Sequence, residues 1–594
     1  MNEITKSNIA KAENVSIEES FLLEKSKDNR YVVKVSRGTK RCYIGSKYSV
    51  ENDIDKCISK LTEYDMETTI IIFGVGAGEH ILRLINSTCK SNNILVVEPD
   101  KNILKLFFES EISQEILSCN RITICLIDED LKSALYQCLE YDKISNTKFA
   151  TYANYNELYT DELRFCLEEL NNFLTASKLN DFTLTEFSKQ YFNNYTKNLK
   201  AIVNGYTINT LKDSFKSVPA IIVSAGPSLD KNIGKVKELQ DKFIIICGAR
   251  TLKPLLKNGV KPDFIFIIDP VDTNMKFFEN VTEYDVPLVF IGVANYKAVH
   301  NHMGKKIYCK NSYTEGYSET LLGKNMDSLF QGGSVAHPCT DLAVYMGCEP
   351  VVFIGQDLAY TNGKTHASIA NLEDFNIEKD SIKNDIYVKD IYGGMVVTDK
   401  PMDYYRKRFE DYIQMKKDTT FINATEGGAN IQGTVIMKLE EASMIYGKNI
   451  VNKNVDKFLE KESENDVEKV KRELTKILDS YNELKKLCLI GLKHMQQLNK
   501  YDIVKQQKQV IKILKKLHEI NSKIMNNKEI DFAAAIFLPI FQSTVNNPKY
   551  ILKDKDSISI MTGKIKESSD EMYSKTLKCL DEVITLIIAN TIDL

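Results

Sequence analysis

The feature that most constrains the fold is a series of short apolar runs separated by helix-length segments. Between residues 213 and 435 the runs are "PAIIVSAG", "DKFIIICGA", "PDFIFIID", "VPLVFIGV", "KKIYCK" and "EPVVFIGQD". They have no polar face, so strands built from them must be covered on both sides. Alternation with helices predicts a mostly parallel, doubly wound sheet. Ligands of such sheets sit beyond the carboxyl ends of the strands. The residues that follow each run are therefore the first candidates for a site.

A similar pattern occurs earlier. "TTIIIFGVGAGEH" breaks from an apolar run into Gly74, Gly76 and Gly78, and "NNILVVEPD" ends a second run at Glu98. Strand, glycine turn, helix and strand-terminal acid, roughly twenty residues from turn to acid, is a Rossmann-like arrangement. It would suit a dinucleotide or S-adenosylmethionine. Equally, the glycines only permit a tight strand-to-helix turn. Residues 151–212 read as a helical connector, with apolar positions three and four apart in "DELRFCLEELNNFLTASKL". Beyond residue 445, Val467, Val470, Leu474, Ile477, Tyr481, Leu484 and Cys488 share one helical face. The expected layout is an α/β multidomain chain: a Rossmann-like domain at 1–150, the helical connector, a central doubly wound domain at 213–444 and an α-helical domain at 445–594.

Bulk properties narrow the setting. A chain of 594 residues exceeds what one core supports, roughly 250–300 residues. A formal charge of -3 supplies no field for nucleic acid or an anionic membrane, so neither is an expected partner. No run approaches the ~18 apolar residues of a membrane span. The opening "MNEITKSNIAKAENVSIEES" is polar and acid-containing, unlike a secretory signal. The 13 cysteines form no C-x-x-C pair and read as reduced packing thiols. The expected location is the cytoplasm.

Several motifs carry chemistry. In "VSAGPSLDKNI", Gly226 can bring backbone N–H groups to an anion, Ser224 and Ser228 add hydroxyl donors, and the next helix offers its positive end. The alternative is a plain turn with Ser228 as helix cap and Pro227 shaping the start. "PDFIFIIDPVD" leaves Asp269 and Asp272 at a strand end, where they could meet ribose hydroxyls, an acceptor or a divalent ion, or simply turn the chain. The densest stretch, residues 332–367, places Gly332, Gly333 and Ser334 before a helix containing His337. It then runs a strand into Gly355, Gln356, Asp357 and Tyr360, and ends at His366. A histidine with an ordinary pKa near 6.5 can take a hydroxyl proton at neutral pH. His366, on a loop at a strand end, fits that role; His337 is expected to cap or pack a helix. In "NATEGGANIQGT", Thr425 and Glu426 could orient a base or accept sugar hydroxyls, while Gly427 and Gly428 admit a ligand or only turn the chain.

In order, "SAGPSLD", "PDFIFIIDP", "GGSVAH", "FIGQDLAY", "KTHA" and "NATEGGANIQGT" resemble the motility accessory factor (Maf) flagellin glycosyltransferases over roughly residues 185–435. The Rossmann-like front and helical tail fit that family's three-part layout. The resemblance implies transfer of a nonulosonic acid, of pseudaminic or legionaminic type, from its CMP-activated form to Ser or Thr hydroxyls of flagellin. No cofactor is implied as required, and a divalent metal is possible through Asp269 and Asp272. The central block is also similar to bacterial sialyltransferases. That likeness implies that Ser224, Gly226, Pro227 and Ser228 meet CMP, that Ser334 and Tyr360 approach its phosphate, and that His366 takes the acceptor proton. From their positions at strand ends and turns, Ala225, Asp269, Gln356 and Asp357 are expected to join the donor site, and Thr425 and Glu426 the acceptor or sugar side. The sequence departs from the sialyltransferase pattern at Ala225, where Asn is usual, and around Gly248–Arg250, so Arg250 is expected to hold phosphate or carboxylate instead. Two rival expectations are an ATP-dependent enzyme like the archaeal pterin pyrophosphokinases, which share the Ala-Gly-Pro-Ser block, and a non-catalytic flagellin chaperone.

Overall fold

A computed structural model of the chain describes residues 2–37, 40–61, 68–128, 130–139, 147–279, 281, 285–312, 314–370, 386–459, 466–544, 547–552, 556–592 and 594. It divides into two compact units. One comprises Met1–Leu184, Leu487–Met525 and Leu538–Thr576; the other comprises Thr185–Lys486, Asn526–Phe537 and Leu577–Leu594. The helices after residue 445 are thus divided between the units.

The first unit contains an antiparallel meander, β1 (Leu22–Lys25), β2 (Tyr31–Arg37) and β3 (Lys40–Ile44). Beside it in sequence are β4 (Thr69–Phe73), α1 (Glu79–Ser87), β5 (Asn93–Glu98), β6 (Ile122–Leu126) and β7 (Thr147–Thr151). These four strands form a parallel sheet in the order β6-β5-β4-β7. Every residue of β4 is buried, as an apolar run covered on both faces requires.

The strand order reverses between β4 and β7, the place where open α/β sheets hold ligands. Here that crevice is filled by the protein itself. Gly74, with φ +103°, packs against Tyr155, and a Cβ there would come within 2.4 Å of the ring. Tyr155 Oη accepts the Gly76 N–H at 3.0 Å and donates to Glu98 Oε2 at 2.7 Å. The Val75 and Asp100 N–H groups also donate to Glu98. His80 stacks on Tyr152 with ring centroids 3.6 Å apart. Burial pushes Glu98 up to about 8 against those three donors. The glycines of this Rossmann-like turn thus make room for aromatic side chains, and its acid is committed within the fold.

Residues expected to be a helical connector form one 45-residue helix, α2 (Thr160–Asn204). The second unit is built on β8 (Tyr206–Thr207), β9 (Ala220–Val223), β10 (Ile244–Gly248), β11 (Phe264–Ile267), β12 (Leu288–Phe290), β13 (Lys306–Tyr308) and β14 (Val351–Ile354). A hairpin, β15 (Ile386–Lys389) and β16 (Met395–Thr398), intervenes before β17 (Phe421–Asn423) and β18 (Val435–Ile436). Nine strands lie in the order β18-β17-β14-β9-β10-β11-β12-β13-β8, every pairing parallel. The doubly wound parallel sheet expected from the apolar runs is the one observed. Ile222 of β9 is flanked by Ile246 and Phe353, and the order reverses between β9 and β14. Helices α3 (Leu229–Leu239), α4 (Ala249–Lys257), α5 (Ala336–Tyr345) and α6 (Lys400–Met415) surround that switch point.

Two asparagines on α2 brace the loops that leave the sheet. Asn194 donates to the carbonyls of Pro270 and Val293, and Asn198 to those of Gly292 and Ala294. Their spacing of four puts both on one helical face. Loops with few backbone partners of their own gain fixed positions from such bonds. The expected apolar stripe beyond 445 falls on α7 (Val467–Leu498), with Val470, Leu474, Ile477, Tyr481, Leu484 and Cys488 buried. No disulfide joins any of the 13 cysteines. Among the described residues no helix is long and apolar enough to cross a membrane.

Candidate functional site

At the switch point of the second unit, a cleft of about 240 Å³ opens beyond the carboxyl ends of β9, β10, β11 and β14. Ser224, Ala225 and Gly226 follow β9; Gly248, Ala249 and Arg250 open α4; Asp269 and Asn274 follow β11. Ser334 and Val335 precede α5, while Gln356, Asp357 and His366 come from the segment after β14.

In the turn "SAGPS" the N–H groups of Ser224, Gly226 and Ser228 are committed to the protein itself and not, as expected, to an anion. The Gly226 N–H donates to Gly355 O at 2.7 Å. The Ser228 N–H and Oγ both donate to Asp357, Oγ at 2.7 Å, and Pro227 has no N–H. Ser228 is buried, and its hydroxyl does not cap α3. Glycine is required at 226 because a Cβ would come within 2.2 Å of Asp357 Oδ2 and 2.5 Å of Gly355 O. Asp357, buried, also accepts from Thr361 Oγ1 at 2.7 Å. Burial raises its pKa, which these bonds oppose. It clamps the turn to β14 and has little left for a ligand. Ser224 Oγ donates to Gln356 Oε1 across the same junction.

The anion-facing feature is instead the start of α4. Gly248 stands at its cap position with no side-chain cap, so the first-turn N–H groups meet the cleft with the positive end of the helix. A Cβ on Gly248 would lie 2.8 Å from Val335 Cγ1, so the starts of α4 and α5 abut there. Arg250 adds a full charge, its guanidinium 4.8 Å from the centre of the Phe277 ring. Burial lowers its pKa, with Asp269 acting in the opposite sense. Asp269 opens onto the cleft. The protein crowded around it raises its carboxyl pKa, against a hydrogen bond from Asn274 and the charge of Arg250. Asp272 turns away to Lys297 at 2.6 Å and Asn295 at 2.8 Å, so the two aspartates do not form a joint ion site. Among the described residues no group of His, Cys, Asp and Glu converges as a metal-ligand set.

His366 is half-buried on the cleft wall, its Nδ1 3.1 Å from Thr365 Oγ1. Burial, then the nearby Arg250 charge, pulls its pKa down to about 4. The imidazole is neutral at pH 7. His337, by contrast, is buried and stacked on Phe409 with ring centroids 4.0 Å apart; its Nε2–H donates to Tyr405 O at 3.1 Å while Nδ1 accepts from the Ser334 N–H at 3.3 Å. It packs a helix, as the sequence suggested.

Five expected site residues stand outside the cleft wall: Pro227 and Ser228 of the clamped turn, and Tyr360, Thr425 and Glu426. Tyr360 donates to Asp399 Oδ2 at 2.7 Å, bracing the start of α6, whose Met402 does line the cleft. Thr425 is buried, and the Glu426 carbonyl accepts from Lys231 at 2.7 Å. Gly428, with φ +83°, would bring a Cβ within 2.3 Å of Asp357 O. Gly428 thus admits the Asp357 backbone, and a Cβ on Gly427 would come within 2.7 Å of Thr361 Cγ2, so the pair makes room for the chain itself. Reasoning on sequence missed Asn274 and Phe277; an Asn and an aromatic soon after a strand-terminal Asp were the available signal.

Fold and site define an α/β protein whose central parallel sheet opens a polar cleft at its switch point, with an uncapped helix start, an arginine and a neutral histidine on its walls. Residues 193–363 match the family described as 6-hydroxymethylpterin diphosphokinase MptE-like. The whole chain shares its fold with the Maf glycosyltransferase from Magnetospirillum magneticum AMB-1, at a TM-score of 0.54 and 14% identity, over 100% of this chain and 97% of that one. No curated protein matches the chain significantly. The fold implied by the sequence resemblance is therefore the fold found.

Proposed function

We propose that this chain is a glycosyltransferase that moves a nonulosonic acid from a CMP-activated donor to Ser or Thr hydroxyls of flagellin in the cytoplasm. The observation that most supports the reading is the meeting of the α4 start, Arg250 and the neutral His366 in one cleft of a Maf-type fold. A sugar acid on CMP carries a phosphate and a carboxylate, and a helix start beside a planar guanidinium suits either.

In this reading the acceptor oxygen bonds to the anomeric carbon while the bond from that carbon to the phosphate oxygen breaks. CMP departs with the bonding electron pair. Arg250 and the α4 N–H groups offset the charge that gathers on its phosphate. With Nδ1–H donating to Thr365 Oγ1, Nε2 of His366 carries the lone pair that takes the acceptor proton. Displacement in one step inverts the anomeric centre.

Intact-mass measurement of flagellin coexpressed with this protein and a nonulosonate pathway tests the proposal. A gain of one or more sugar-acid masses is expected; unchanged mass sinks it and favours a flagellin-binding chaperone. The family match over residues 193–363 favours a second reading, an ATP-dependent pterin diphosphokinase. Thermal shift separates the two: CMP is expected to stabilise the protein, and stabilisation by ATP alone would support the kinase.

A further inference from the structure

We propose that Asp230 is a positioning residue for His366, and that "SAGPSLD" acts chiefly to hold the His366 loop at the cleft. The proposal rests on the reading of His366 as proton acceptor.

The His366 side chain bonds to Thr365, its own neighbour in the chain, so its placement depends on where the backbone of residues 365–370 is held. That backbone is held by the start of α3. The Ala367 N–H donates to Ala225 O at 2.9 Å. The next two amides, of Ser368 and Ile369, donate to the two carboxylate oxygens of Asp230 at 2.8 Å and 3.3 Å. The Ala370 N–H then closes a turn on Ala367 O at 3.0 Å. Asp230 therefore caps a turn that follows the histidine by two residues, from a position 138 residues away in the chain. Hydrogen bonds from amides to a carboxylate are among the stronger neutral-to-charged kind. Ala225 and Asp230 lie on either side of Ser228, which Asp357 fixes. The segment that the sequence resemblance assigned to CMP thus reaches the His366 loop on both sides of its clamp. Asp230 is itself exposed and outside the cleft wall, so it acts through the loop and not on a ligand.

The test compares full-length wild type, D230A, D230N, H366A and D230A/H366A in steady-state transfer from a CMP-sugar acid to flagellin, with CMP affinity measured by calorimetry. A displaced catalytic group costs roughly 10- to 100-fold in rate. D230A is expected to lose about that much kcat while donor KM and CMP affinity stay within about twofold. D230N keeps an oxygen acceptor and is expected to recover most of kcat. The double variant is expected to be no slower than H366A alone. Hydrogen exchange at Ser368 and Ile369 is expected to speed up in D230A. Full kcat in D230A beside an impaired H366A overturns this inference alone, as does an equal further loss in the H366A background. Loss of CMP affinity in parallel with kcat also overturns it, because the cleft itself would then have collapsed. Full kcat in H366A overturns the base assignment and this inference with it.

Discussion

His366 and Arg250 act on one another through the space a ligand would occupy. Burial and the Arg250 charge hold the imidazole at about 4, so it stays unprotonated as pH falls well below 6.5. The acid limb of kcat/KM, which reports the free protein, is expected near pH 4 and not near 6.5. An anionic donor offsets Arg250, so the limb in kcat should lie higher; pH profiles of both constants check this. Replacing Arg250 with Met removes a charge that disfavours the imidazolium. The His366 pKa should therefore rise, as followed by NMR titration, while CMP affinity drops roughly tenfold or more. H366A should lower transfer by roughly 10²–10⁴ with CMP affinity retained. Read one residue at a time, the sequence singled out His366, Arg250 and Asp269, and all three line the cleft: Arg250 and Asp269 stand within two residues of a strand's carboxyl end, and His366 on the long segment that leaves β14. Tyr360, Thr425 and Glu426 also follow strands in sequence and yet stand outside the cleft wall.

At the scale of elements, the junction of β9, β14 and β17 is held by polar contacts between segments far apart in the chain. Asp357 reaches Ser228 across 129 residues, and Ala429 N–H donates to Asp357 O at 2.7 Å. Truncating Asp357 to Ala would leave the buried Ser228 N–H and hydroxyl without their acceptor, at a cost of about 2–3 kcal/mol. Gly428→Ala would meet both a positive φ and the Asp357 backbone, at a cost of roughly 2 kcal/mol or more. Thermal unfolding of each variant reads these losses. A melting temperature unchanged in G428A would show that Asp357 is not packed against that glycine. The glycines were legible as special positions, but their partner was not. A motif such as Gly-Gly marks room for a close neighbour without saying whether that neighbour is a ligand or the chain.

On the scale of the whole molecule, two parallel sheets reach their switch points differently. In the first unit Tyr155 and Glu98 fill the crevice; in the second it stays open. Glu98, raised from 4.5 to about 8, binds its proton more tightly folded than unfolded. Its contribution to stability is therefore full below about 4.5 and lost as pH rises through 8. E98Q cannot titrate and should flatten the pH dependence of unfolding across that window, measured by hydrogen exchange at residues 74–78. An unchanged slope would mean that Glu98 is not the group responsible. The apolar runs alone imposed parallel strands and located the edge at which the cleft opens, because burial of both faces and the chain length between runs are local properties. They could not separate the filled crevice from the open one. Gly74–Gly78 and Ser224–Ser228 could each be read as a ligand turn or a plain turn, and what decides lies in partners that arrive only on folding: Tyr155, 57 residues beyond Glu98 and brought in by β7 pairing with β4, and Asp357, brought in by β14 pairing with β9. Strand pairing over such distances decides which backbone donors and carboxylates remain free to meet a ligand.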